Sequence, residues 1–227
     1  MLITNPQTTA DMVFADTVSE TLVHSLLNQT LPFPIAGKSA VLLYGTFGSG
    51  KTTYAQIFCK DFEERRGGNR EDVIVDFVSC DSTENITQIL KRCESIRENV
   101  SFNSSGLHYF VFDEVDNLTN EAQRKLKAFL NYSGIVCVLT TNYVDKVDDG
   151  VKSRSHMVNF NATQSANYLH RVKQIIRQNK LPMPSDAELL EKIENADGDW
   201  RNIVPYVLYL CNSQQPTPPK QHKLKVV

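Results

Sequence analysis

AVLLYGTFGSGKTT, residues 40–53, decides how the rest of this chain is read. Its first five residues are an unbroken apolar run of strand length, and a helix-compatible pattern begins at Lys51. Between them Gly45, Thr46, Phe47, Gly48, Ser49, Gly50, Lys51 and Thr52 satisfy the spacing GxxxxGK[ST]. Glycines at these places let backbone N–H groups curl around an anion, and the helix N-terminus adds its partial positive charge. Lys51 is then placed to reach the β- and γ-phosphates of ATP, the Thr52 hydroxyl to ligate Mg2+, and Thr53 to extend the cradle.

YFVFDE, Tyr109–Glu114, supplies the other half of such a site. An apolar strand delivers Asp113 and Glu114 at its carboxyl end, where open α/β sheets bind ligands. Asp113 is the expected magnesium partner and Glu114 the group that positions or deprotonates an attacking water, so hydrolysis is expected as well as binding.

Further apolar runs at Val73–Val78 and Val136–Thr140, with a weaker one at Met157–Phe160, complete a set of strands with room for helices between them. Runs apolar at successive positions fit strands covered on both faces. Helices are predicted over 17–29, 51–65, 84–99 and 120–132, which makes the fold α/β with a parallel sheet. The charged EERRGGNRED stretch reads as an exposed connection. After Phe160 the strand signal stops, and Thr163–Gln178, Ser185–Asn195 and Asp199–Cys211 carry helical spacing. The expected division is a nucleotide-binding core over 1–160, a small all-helical lid over 161–212 and a flexible tail over 213–227, whose SQQPTPPKQHKLKVV includes three prolines and three lysines.

Composition bounds the alternatives. With 227 residues, 41% of them apolar and 22% charged, the chain has the material for a folded domain. A formal charge of −2 advertises no global affinity for nucleic acid, so any such contact needs a local patch. The 5 cysteines are scattered, without CxxC spacing, which suits a reducing compartment and no zinc. No basic leader or apolar run of about 18 residues occurs. The expected setting is the cytoplasm, or the nucleus of a eukaryote, with no membrane partner.

These features together resemble the AAA+ ATPases, members of the P-loop NTPases, and among them the small subunits of sliding-clamp loaders, from about Ala40 to Cys211. The most specific stretch runs DEVDNLTNEAQRKLKAFLNYSGIVCVLTTNYVDKVDDGVKSRSHMVNF. The resemblance implies that Asn142 is sensor 1, that Arg154 in Ser153-Arg154-Ser155 is an arginine finger for a neighbouring subunit, and that Arg201 in GDWRNIV is sensor 2. Asp199 equally fits an N-cap for the helix opening at Trp200, and Trp200 itself a packing residue between lid and core. Gln123, Arg124, Lys125 and Lys127 sit where that family faces a DNA channel; an ordinary solvated helix face is the other reading. Arg171, Lys173, Arg177 and Lys180 read as plain surface.

Two departures stand out. The family's N-terminal base-pocket segment is replaced by FADTVSETLVHSLLNQTLPFPIAG, so base contacts are not assignable, and no collar domain follows the lid. The resemblance implies an ATPase that self-associates or joins related AAA+ subunits in a ring or spiral and remodels a DNA-replication assembly with a partner protein. The alternative is an ATP-switched, slowly turning regulator of a mobile element or virus, of the helicase-loader or transposition-regulator type. A small-metabolite kinase fits the motifs poorly.

Overall fold

A computed structural model of the chain describes residues 4–35, 37–81 and 86–213. The expected flexible tail lies almost entirely outside these residues. Five strands, β1 (Ala40–Tyr44), β2 (Val75–Ser79), β3 (His108–Asp113), β4 (Ile135–Thr141) and β5 (Ser155–Asn159), form one sheet in the order β2-β3-β4-β1-β5. Every pairing is parallel, with Ala40 opposite both Cys137 and Ser155 and Tyr44 opposite both Thr141 and Asn159. All carboxyl ends therefore lie along one edge, and β1 lies between the central strand β4 and the edge strand β5.

The strands are apolar at successive positions because both faces are covered. Val41, Leu43, Val111, Val136 and Val138 pack with α1 (Thr17–Leu27) and α2 (Lys51–Glu64) through Leu26, Tyr54, Phe58 and Phe62. Ala40, Leu42, Phe110, Phe112 and Leu139 point the other way. They pack with α3 (Ile86–Glu98), α4 (Asn120–Phe129) and the short α5 (Asp149–Ser153) through Leu90, Leu126, Phe129 and Val151. Three further helices, α6 (Ser165–Gln178), α7 (Asp186–Glu194) and α8 (Trp200–Ser213), enclose their own cluster of Val172, Ile176, Leu189, Ile193, Ile203 and Val207. Among the described residues no helix is long and apolar enough to cross a membrane, and the five cysteines are buried thiols.

The boundaries differ from the sequence-based ones where polar residues join a ladder. β5 starts at Ser155, two residues before the apolar run, because Ser155 and His156 pair with Ala40 and Val41. β2 is displaced towards Ser79, which pairs with Asp113. Helix α4 stops at Phe129, with Leu130 as its C-cap.

His156 packs edge-on against Phe33, with centroids 5.5 Å apart, and its Nε2 finds no hydrogen-bond partner. Burial, with Lys38 nearby, lowers its pKa from 6.5 to about 4. The unfolded chain takes up this proton near 6.5 and the folded chain only near 4, so stability falls as pH drops through that window. Urea midpoints at pH 7 and pH 5 are expected to differ more for wild type than for His156→Phe.

Candidate functional site

Strand β1 runs straight into the glycine loop, and α2 leads away from it. Gly45 has φ +145°, and a Cβ there would lie 2.4 Å from the Asn161 nitrogen and the Phe160 carbonyl carbon, so only glycine lets the two backbones pass. Helix α2 begins at Lys51 without an acidic residue in its first turn, leaving its positive end uncompensated. The Lys51 ammonium is 6% exposed and donates to the carbonyls of Gly45 (2.9 Å) and Thr46 (2.7 Å). Burial depresses its pKa to about 8, against the opposing pull of Asp113, Asp116 and Glu114. A buried cation held only by neutral oxygens, the two carbonyls and the Ser49 hydroxyl (3.4 Å), at a helix start lined with N–H groups, is an environment for a polyanion.

The acidic side of the site is assembled by hydroxyls. Thr52 Oγ1 and Thr140 Oγ1 both donate to Asp113 Oδ1, at 2.8 and 2.6 Å. The same Thr140 oxygen accepts the Glu114 N–H at 2.9 Å, fixing the turn after β3. Glu114 takes a left-handed backbone, φ 58°, which is uncommon for a non-glycine residue and swings its carboxylate out of the strand direction. That carboxylate accepts from Asn142 Nδ2 and Asn117 Nδ2, at 3.3 and 3.2 Å. Asn117 also bonds Asp81, and the adjoining Asp81 carboxyl, then burial, raise the Glu114 pKa. Asp116 anchors the Asn142 loop by accepting from Thr141 Oγ1 (2.6 Å) and the Asn142 N–H (3.3 Å).

Among the described residues no group of three His, Cys, Asp or Glu side chains forms a metal cage. The contact between the Thr52 hydroxyl and the Asp113 carboxylate nevertheless suits Mg2+, a hard cation bound by one or two protein oxygens together with substrate phosphates and water.

A cleft of about 530 Å³ opens over the glycine loop. Gly48, Lys51, Thr52, Glu114, Thr140 and Asn142 line one part of it, and Trp200, Arg201, Val204 and Pro205 of α8 another. The helical unit bonds directly to the loop: Trp200 N–H donates to the Gly48 carbonyl at 3.0 Å. A Cβ on Gly48, φ +69°, would lie 1.9 Å from Asp199 Oδ1. Asp199 caps α8 by accepting the Arg201 N–H at 2.8 Å, and the 72% exposed Arg201 side chain extends beside the cleft. The Trp200 ring packs edge-on against Tyr168 of α6, within the helical unit, while its backbone N–H reaches the glycine loop.

The profile of the ATPase family associated with various cellular activities (AAA) matches residues 41–162, just over half of the chain. This chain belongs to the AAA family. Replication factor C subunit 4 of Caenorhabditis elegans is 27% identical over 206 residues, which is 88% of this chain and 58% of that protein. Replication factor C small subunit 2 of Pyrobaculum islandicum is 25% identical over 167 residues, 72% of this chain and 50% of that protein. The chain thus spans only about half the length of these curated relatives. The RuvB Holliday junction branch migration motor of Thermotoga maritima superposes with a TM-score of 0.68 at 13% identity, covering 90% of this chain and 64% of that one, a likeness of fold.

The cleft's remaining wall in this AAA chain was not expected from the sequence. Thr4, Asn5, Pro6, Met12 and Val13 face Ile175, and a turn at Thr9–Asp11 clamps the segment in place. Thr9 donates through N–H and Oγ1 to buried Asp61 of α2, at 2.7 and 2.5 Å. Asp11 accepts from Arg171 and Gln174 of α6, at 2.7 and 2.8 Å. Arg171 was expected at the surface; it is 4% exposed and pairs with Asp11, because the segment folds back over α6. Burial works against the Asp11 charge, but the Gln7 and Thr8 N–H groups, Gln174 and Arg171 hold its pKa below the ordinary value. The one available signal was local: Thr8 and Asp11 form a capping box.

Gln123 also departs from expectation. Rather than facing a channel it is 2% exposed, donates to the carbonyls of Leu118 and Lys146 and accepts the Asp148 N–H at 2.6 Å. It ties the turn after Glu114 to the loop after Asn142. On the same helix Lys125 is engaged by Glu121 and Thr87 and Lys127 by Asp148, while Arg124 is exposed. Lys125 and Lys127 are thus each paired with a carboxylate of the same chain while remaining partly exposed.

Arg154 lies at the amino end of β5, where its carbonyl accepts the Ala40 N–H. Its guanidinium donates to Asn131 Oδ1 (2.8 Å) and the Gly150 carbonyl (2.9 Å). The glycine loop follows the opposite end of β1, about 15 Å away along five strand residues.

Proposed function

We propose that this chain is a magnesium-dependent ATPase that works as a ring or open spiral of its own copies or of related AAA+ subunits. ATP is cleaved where two subunits abut, and loosening of that seam remodels a DNA-bound replication assembly, as the names of the replication factor C relatives suggest. Lys51, the loop from Gly45 to Thr53 and the N-terminal segment bind the nucleotide. Thr52 and Asp113 hold Mg2+, which supplies charge neutralisation at the β- and γ-phosphates when bound. Glu114, steadied by Asn142, takes the proton of the attacking water, and Arg201 senses the phosphates from the helical unit.

The observation that carries this reading is the position of Arg154. Held by Asn131 and Gly150 at the far end of the sheet, it has no route to its own glycine loop, yet it is a fixed guanidinium suited to forked phosphate contacts. That placement supports a role for Arg154 at a neighbour's phosphate.

Sedimentation of the purified chain with ATP, with ADP and with a non-hydrolysable analogue, each with and without duplex DNA, tests this. Assemblies larger than one chain are expected with ATP and the analogue, and smaller ones with ADP. A single-chain mass under every condition would contradict the proposal.

A further inference from the structure

The segment 4–14 is fastened at two places, once to each unit of the chain. On the sheet side Thr9 bonds Asp61 of α2, and Asp61 is paired in turn with Arg70, whose guanidinium also donates to the Gln7 carbonyl. On the helical side Asp11 accepts from Arg171 and Gln174 of α6, and Arg171 donates further to the Thr4 carbonyl at 3.4 Å. The Arg171 and Asp11 side chains are 5% and 11% exposed, so removing one partner leaves the other charge shielded from water and uncompensated. Successive side chains beyond this pair divide between the two clusters. Met12 packs with the sheet's cluster, Val13 with the helical unit's, and Phe14 with the sheet's again, edge-on to Tyr54 and Phe160.

We infer that Asp11 and Arg171 are positioning residues for the nucleotide: their pair ties the helical unit to the N-terminal segment and so sets the width of the cleft between them. This rests on the nucleotide reading above. Neither unit needs the pair in order to form, since Val172, Ile176, Leu189 and Ile203 close the helical cluster without Asp11. What the pair fixes is the relation between two walls. Arg171, Gln174 and Ile175 share one face of α6, three and four residues apart, so anchoring the first two to Asp11 also places Ile175 in the cleft opposite Pro6 and Met12. These facing side chains are apolar, whereas the groups that suit phosphate charge, Lys51 and the start of α2, belong to the glycine loop and its helix. The tie therefore acts on the base and ribose and not on the phosphates. ATP and ADP gain from it equally, and a phosphate chain lacking a base gains nothing.

The test uses the full-length chain as wild type, Arg171→Met, Arg171→Lys and Thr9→Val. Calorimetric binding of ATP, ADP and tripolyphosphate is measured for each, together with steady-state ATP turnover. Arg171→Met is expected to weaken ATP and ADP about tenfold, equally within about twofold, while tripolyphosphate affinity stays within about twofold of wild type. KM should rise by the same factor with kcat within about threefold, the pattern of lost uniform binding. Arg171→Lys, which keeps a cation for Asp11, should recover most of the loss. Thr9→Val, which loosens the other anchor by removing its hydroxyl contact with Asp61, should weaken ATP and ADP in the same equal proportion by a smaller factor. Unchanged ATP affinity in Arg171→Met, a loss confined to ATP, an equal loss of tripolyphosphate, or a lysine variant as weak as the methionine one would overturn the inference while leaving the nucleotide reading intact. Should Arg171→Met not fold, Thr9→Val decides by the same three ligands. Wild type that binds neither ATP nor ADP would overturn both.

Discussion

Glu114→Gln protein is expected to bind ATP and Mg2+ as wild type does and to hydrolyse ATP about 10²- to 10³-fold more slowly, the range for loss of a positioned general base. The substitution keeps shape and one accepting oxygen, so the contact from Asn142 survives, and the amide can donate towards Asp81. What disappears is the basic oxygen. Binding should persist because the groups around the phosphates, the Lys51 ammonium and the start of α2, lie on the other side of the site and do not bond Glu114. Equilibrium binding and single-turnover hydrolysis separate the two effects. Hydrolysis within threefold of wild type would place the base elsewhere.

Arg154→Ala should likewise retain ATP, yet lose about 10³-fold in turnover, the scale attached to a guanidinium that stabilises charge on a transferring phosphoryl group. Among the described residues the cations lining the cleft are Lys51, Arg201 and Arg171, the last engaged by Asp11. Arg154 is separated from the cleft by the length of β1. The loss should not reflect unfolding, since the side chain is partly exposed and the β5 pairing it borders is made by backbone. A melting temperature within a few degrees of wild type accompanies the expected result. Collapse of the fold would show that the contacts to Asn131 and Gly150 matter for stability instead.

Much of the architecture was legible because it depends on local patterns. The run AVLLY followed by GTFGSGKT determines a strand, a loop and a helix start at once, and the apolar strands announce a sheet covered on both faces. Asp113 could be placed for the same reason, since a strand end fixes where its last residue projects. Long-range contacts were not legible. The wall formed by Thr4–Val13 depends on Thr9 meeting Asp61 and on Asp11 meeting Arg171, pairs 52 and 160 residues apart, and no periodicity encodes them. Arg171 alternates with ordinary surface residues on α6, so its burial became visible only with the segment that covers it. Gln123 misled for a related reason: a polar residue on an amphipathic helix is read as solvated, whereas three backbone groups of two loops satisfy it inside the protein. The left-handed turn at Glu114, and the threonine that holds it, likewise follow from β4 lying beside β3.

The most direct measurement of a site shared between subunits is complementation. Arg154→Ala chains keep an intact glycine loop, and Lys51→Ala chains keep an intact arginine, so neither alone hydrolyses ATP well. Mixed in equal amounts with ATP, they should recover a substantial fraction of wild-type turnover, because some junctions unite the good half of each. A mixture no more active than the sum of its two components, alongside wild-type turnover per chain that does not change on dilution, would contradict catalysis in trans.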